Sequence, residues 1–228
     1  MAYEQLYTLQ TPRGYSRGAI TSARAAGLQP SCAPELKILG MAISETEPNT
    51  ANVIDASSKS PAAALLPSGV LGLGNECPVV ANGINAHLKP ERCQHVERFD
   101  RLARTNVSKA ITENNMGYQG IPKMPILLYE GVSDQVGVVK DTDGTYEYYC
   151  ARGASIQYVR DAVAGNGIAA ATPASKAPSF LIQVLNGRKQ PEACSKKTLA
   201  SSLLDPATAR ILPPYILQAL LDLIGNPI

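Results

Sequence analysis

Gly14-Tyr15-Ser16-Arg17-Gly18 constrains this chain more than any other stretch. It reads G-x-S-x-G, a serine between two glycines on a tight turn from strand to helix, and such a turn pushes the serine Oγ out over a sheet. Glycine at both ends lets strand and helix backbones come close. Five loosely specified positions recur by chance, so the neighbours decide. Residues 19–28, AITSARAAGL, are small and helix-compatible. Pro30 and Pro34 break that helix, and residues 36–43, LKILGMAI, form an apolar run suited to a buried parallel strand. Turn, helix, loop and strand follow in the order the motif requires.

A strand is needed before the turn, and several more before that one. Only fifteen residues precede Ser16. Residues 4–9 suit one short strand, interrupted by Thr11-Pro12-Arg13, where Pro12 has no N–H to give a central ladder. The expectation is a chain carrying the C-terminal half of such a fold, or descended from one that lost its N-terminal half.

With 228 residues, 45% of them hydrophobic and 18% charged, the chain can bury a substantial core. A net charge of +2 with interspersed signs gives no reason to expect nucleic acid as partner. No run of eighteen apolar residues predicts a transmembrane segment, and Met1-Ala2-Tyr3-Glu4 opens no signal peptide. Five cysteines, at 32, 77, 93, 150 and 194, leave at least one without an intrachain partner. No C-x-x-C pair occurs, and His87 and His95 are not spaced for zinc, so no metal and no cofactor is expected. Asn106-Val107-Ser108 is a glycosylation sequon and points weakly to a secreted ancestor.

Residues 44–52 form a polar break containing Glu45, Glu47 and Pro48. Residues 61–74, PAAALLPSGVLGLG, read as small-residue helix packing, since their glycines miss the phosphate-loop spacings. Residues 77–118 turn polar, with Val96, Phe99, Leu102 and Ala103 at helical spacing. Residues 61–118 are therefore expected as a helical cap or lid insertion. MPILLYE, 124–130, is a second buried strand ending near Asp134, at the edge where parallel sheets place their chemistry. A helix over 142–151, a strand over 154–159, a loop over 160–167 and a helix over 178–185 closed by Asn186-Gly187 follow. Residues 196–228 are expected as a helical extension, ending in an amphipathic helix over 215–224.

Three passages carry a family resemblance: GYSRG with CAPELKILGMAISETEP, then PKMPILLYEGVSDQVGVV, then YCARGASIQYV with GRKQPEAC. Together, over roughly residues 13–195, they resemble the fungal secretory lipases of the lipase A type. The resemblance implies an α/β class: an incomplete α/β-hydrolase fold, residues 1–228, made of the C-terminal strands and helices of the parallel sheet with a lid-like insertion. It also implies an ester or lipid substrate, secretion in the family, and no cofactor. Carried over position by position, Ser16 is the nucleophile, Asp134 the triad acid and Arg17 N–H one oxyanion donor. Cys150 and Cys194 match two cysteines that pair, closing a loop of about 45 residues worth roughly 3–4 kcal/mol.

The histidine of the resemblance falls at Asn166, or at Gly167 with a shift of one, and no histidine follows His95. Serine Oγ is a weak nucleophile until a base takes its proton, and an amide cannot carry that proton at neutral pH. Loss of a triad member lowers rates by about 10⁴–10⁶. The leading expectation is thus a lipase- or carboxylesterase-like serine hydrolase, impaired. The alternatives are a non-catalytic relative that binds a lipid or a partner, catalysis with His87 or His95 as surrogate base, and a truncated product self-associating through an exposed sheet edge.

Overall fold

A computed structural model describes residues 9–87, 106–171, 176–206 and 213–222. Its centre is a five-stranded, all-parallel sheet of β2 (Arg13–Tyr15), β4 (Met41–Ser44), β5 (Ile126–Gly131), β6 (Ile156–Asp161) and β7 (Ser195–Leu199), in that spatial order. The first strand stops at Pro12 and resumes. Before the proline, β1 (Leu9–Gln10) pairs in parallel with β3 (Lys37–Ile38) as a separate ribbon. The run 36–43, expected as one strand, is likewise broken at Leu39-Gly40 into β3 and β4. Pro12 is accommodated because β2 lies at the edge of the sheet among the described residues: its carbonyl accepts from Ala42 N at 3.0 Å, and its missing N–H costs no ladder bond there.

Alternation along the strands divides the core into two layers. Met41, Ile43, Ile126, Leu128, Ile156 and Tyr158 face one side, where they meet Ala19, Ala23 and Ala26 of α1 (Arg17–Cys32) and Tyr149 of α6 (Val139–Cys150). Ala42, Leu127, Tyr129 and Val159 face the other, against Ala177, Phe180 and Val184 of α8 (Lys176–Leu185). Alanines at 19, 23 and 26 let α1 lie close on the sheet. Gly153 and Gly187, at φ 82° and 69°, terminate the turns after α6 and α8.

The polar break after β4 hides a helix, α2 (Thr50–Ser58), capped by Asn49 Oδ1 accepting from Ala51 and Asn52 N–H. A 3₁₀ turn (Pro61–Leu65) leads into α3 (Leu66–Glu76), α4 (Pro78–His87) and, further on, α5 (Asn106–Glu113). Val80 and Ile111 form a small satellite core there. The described part of 61–118 is thus helical; His95, Cys93 and the 96–103 periodicity lie outside the described residues, as does the side chain of His87. The loop expected over 160–167 gives way to α7 (Asn166–Ala171).

The stretch 196–228 does not begin as a helix. Its first residues belong to β7, a polar, exposed strand with no apolar alternation to reveal it, and Leu199 O then accepts from Ala162 N. A 3₁₀ turn (Ser202–Leu204) and α9 (Pro214–Asp222) follow. Cys150, ending α6, is disulfide-bonded to Cys194 at the head of β7, which ties the last strand to the helix layer. Among the described residues Cys32 and Cys77 are unpaired, and no helix is long and apolar enough to cross a membrane.

Candidate active site

All strands run the same way, so the loops after β2, β4, β5 and β6 meet at one edge. Ser16 stands between β2 and α1 with φ 53° and ψ −125°, a conformation L-residues seldom adopt. Its N–H bonds Ser44 O at 3.0 Å and its carbonyl accepts from Ala19 N at 2.8 Å, which fixes the turn from both sides. The two glycines differ. A Cβ on Gly14 would run into the Gly18 carbonyl, whereas a Cβ on Gly18 would meet open space. Only Gly14 is demanded by the close strand–helix approach. Arg17 N–H heads α1, where the first helical N–H groups have no partner within the helix and favour negative charge.

Asp134 lies in the loop after β5. Its Oδ1 accepts from Val136 N at 2.7 Å and its Oδ2 from Asn166 Nδ2 at 3.0 Å. Asn166 opens α7 after β6. Its Oδ1 is 2.7 Å from the hydroxyl of Tyr15, which also lies 2.8 Å from the Asn166 carbonyl. The amide is therefore held between Asp134 on one side and Tyr15 on the other. Burial, with Glu45, Asp134, Glu47 and Glu130 nearby, raises the Tyr15 pKa and keeps its proton on.

Ser16 Oγ donates not to Asn166 but to Glu47 Oε1, at 2.7 Å. Glu47 is 3% exposed, and its other oxygen is 3.1 Å from Arg17 Nε. Ser16, Arg17, Glu47 and Asn166 line a cavity of about 480 Å³ whose apolar walls include Ile20, Val53, Ile54, Leu66 and Leu73. Glu47 was legible only as part of a polar break. The available signal was its place: three residues past the end of a parallel strand beside the serine strand, at the edge that carries chemistry.

Behind Asp134 lie two more carboxyls. Glu45, itself at φ 44°, accepts from Gly131 N at 2.8 Å, and Glu130 accepts from Thr46 N at 3.0 Å. One oxygen each of Glu45, Glu130 and Asp134 falls within a 4.8 Å group, close enough to share a cation or a proton. Burial first, and then repulsion from Glu130, lifts the Glu45 pKa. Burial first, and then the charge of Asp134, lifts that of Glu130. Such groups favour neutral forms, one carboxyl donating to the next.

A serine on a strained strand–helix turn at the carboxyl edge of a parallel sheet defines the α/β-hydrolase class. The secretory lipase family model matches residues 12–103 and 94–192, and the chain belongs to that family. It is 30% identical to Lipase A of Arthroderma benhamiae, over 94% of this chain and 51% of that protein. It is 26% identical to Lipase 4 of Candida albicans, over 90% and 51%, and 26% identical to a probable trichothecene esterase of Stachybotrys chartarum, over 67% and 37%. Its fold is that of Candida antarctica lipase A in the closed state, with a TM-score of 0.78 at 19% identity over 96% of this chain and 58% of that one. The chain spans about half the length of the curated relatives it matches.

Proposed function

We propose that the chain is a lipase- or carboxylesterase-like serine hydrolase in which Ser16 is the nucleophile, Asp134 the acid and Arg17 N–H an oxyanion donor, with turnover impaired because residue 166 is asparagine. One observation carries this: the Asn166 amide bonds Asp134 at 3.0 Å, as a triad imidazole would, while its oxygen faces Tyr15 and not Ser16. An amide in that position orients nothing toward the serine and cannot relay its proton. The apolar cavity beside Ser16 supports an ester with a hydrocarbon acyl group, and the names of the relatives support a lipid or small ester. Secretion is proposed from the family alone.

The test is hydrolysis of p-nitrophenyl butyrate by the purified chain. Slow turnover, abolished in Ser16→Ala, is expected. Asn166→His should raise it by about 10- to 100-fold, below the roughly 10²–10⁴ of a fully engaged base, because Ser16 must first leave Glu47. Turnover near the ordinary enzyme range of about 10 s⁻¹ in the unaltered chain would defeat the impairment.

A second reading is favoured by the cavity itself: a non-catalytic relative that binds a lipid or a protein partner. Saturable displacement of an apolar dye together with no Ser16-dependent turnover would select it. The outer side of β2 adds a proposal of self-association, since no described strand covers that edge.

A further inference from the structure

We propose that Glu47 is the general base of Ser16, standing in for the absent imidazole. This rests on the serine-hydrolase reading above. The Ser16 Oγ to Glu47 Oε1 separation, 2.7 Å, is that of a well-formed O–H···O bond, and it meets the reach a base needs in order to take a proton. Both partners are fixed. Ser16 is pinned by its backbone turn, and Glu47 is buried, with Arg17 Nε on its second oxygen. The Arg17 side chain is 58% exposed, so it closes the outer side of the pair while Oε1 stays on the serine. The hydrogen-bonded atoms open onto a cavity with apolar walls, where an ester carbonyl can reach Oγ.

The proton inventory closes. Ser16 Oγ attacks the ester carbonyl carbon, the carbonyl electron pair moves to oxygen, and the hydroxyl proton passes to Glu47 Oε1. The tetrahedral anion collapses, the C–O bond to the alcohol breaks, and the alcohol leaves with that proton. Water then attacks the acyl-serine, gives one proton to Glu47, and the acid departs as Ser16 Oγ is reprotonated from Glu47. Net, one ester and one water become an acid and an alcohol. Carboxylates are weaker bases than imidazole by about two pKa units, which makes the reaction slow and fits the impairment proposed above.

The probe is a fluorophosphonate applied to the intact chain: the Oγ–P bond forms, P–F breaks, fluoride leaves, and the proton goes to Glu47. Stoichiometric adduct on Ser16 is expected by peptide mass. Glu47→Gln should slow its formation by about 10²–10⁴. Without the carboxylate only hydroxide can activate the serine, so the Glu47→Gln rate should climb about tenfold per pH unit from pH 6 to 9, while the wild-type rate stays nearly level. Arg17, Arg24 and Glu76 line the cavity with Glu47, and Tyr15 lies close enough to feel the charges of Glu47, Glu45, Glu130 and Asp134. All of these are shared by both proteins and drop out of the rate ratio. Equal rates in wild type and Glu47→Gln would overturn the proposal and leave the hydrolase reading standing. Absence of any Ser16 adduct would overturn both. Should Glu47→Gln fail to fold, the wild-type profile decides, because a rate proportional to hydroxide excludes a carboxylate base.

Discussion

At the residue scale, the serine turn makes unequal demands on its two glycines. Gly14→Ala pushes a methyl into the Gly18 carbonyl, an overpacking against backbone that cannot rotate away. A loss of about 3 kcal/mol or more is expected, and with it a fall in melting temperature of roughly 6–12 °C. Gly18→Ala, in open space inside α1, should be neutral or stabilising by up to about 1 kcal/mol. Thermal melts of both variants check the pair; equal losses would contradict the geometry. The acid cluster gives a second expectation. Glu45 and Glu130 are raised from 4.5, so the folded chain holds their protons more tightly than the unfolded chain. Their contribution is fullest below about 4.5 and is lost as pH rises toward the folded values. Glu130→Gln should therefore melt near wild type at pH 4.5 and above it at pH 8. A wild-type advantage at pH 8 would show the pair to be ionised and held by something else. Ser16, Asp134 and Asn166 were legible because each stands in a motif or a register. Glu47 was not, because its role depends on β4 lying beside β2, a neighbour relation that no local pattern encodes.

At the element scale, buried strands announced themselves and polar ones did not. Residues 124–130 and 154–159 were legible from continuous apolar runs, and the structure shifts their bounds by about two residues, to 126–131 and 156–161. Residues 195–199, SKKTL, pair with β6 as a mostly exposed, polar strand, so hydrophobicity carried no trace of a strand. α2 was missed for a related reason: its start is set by a single Asn49 side chain in a segment otherwise read as loop. The disulfide bears on this outer strand. Cys150 and Cys194 are 44 residues apart, a loop whose closure is worth roughly 3–4 kcal/mol. Cys150→Ser with Cys194→Ser should lower the melting temperature by about 6–16 °C and speed amide exchange in β7 ahead of β4 and β5. Uniform exchange would place the stabilisation elsewhere.

At the scale of the whole molecule, the two sheet edges are defended differently. β7 carries Lys196 and Lys197, charges that discourage pairing with another strand. β2 carries Arg13, Gly14 and Tyr15, and its outer ladder has no described neighbour. Sedimentation should find concentration-dependent association, weakened by Thr11→Lys beside β2. A monodisperse monomer with one cooperative melt would refute it.

The hydrogen bond from Ser16 to Glu47 bears on reversibility. One hydroxyl proton serves one acceptor at a time, so a histidine placed at 166 meets a serine already committed to the loop after β4. Positions 47 and 166 are then coupled: Asn166→His gains less while Glu47 holds the serine hydroxyl than it gains once Glu47→Gln has released it, so the effects of the two changes do not multiply.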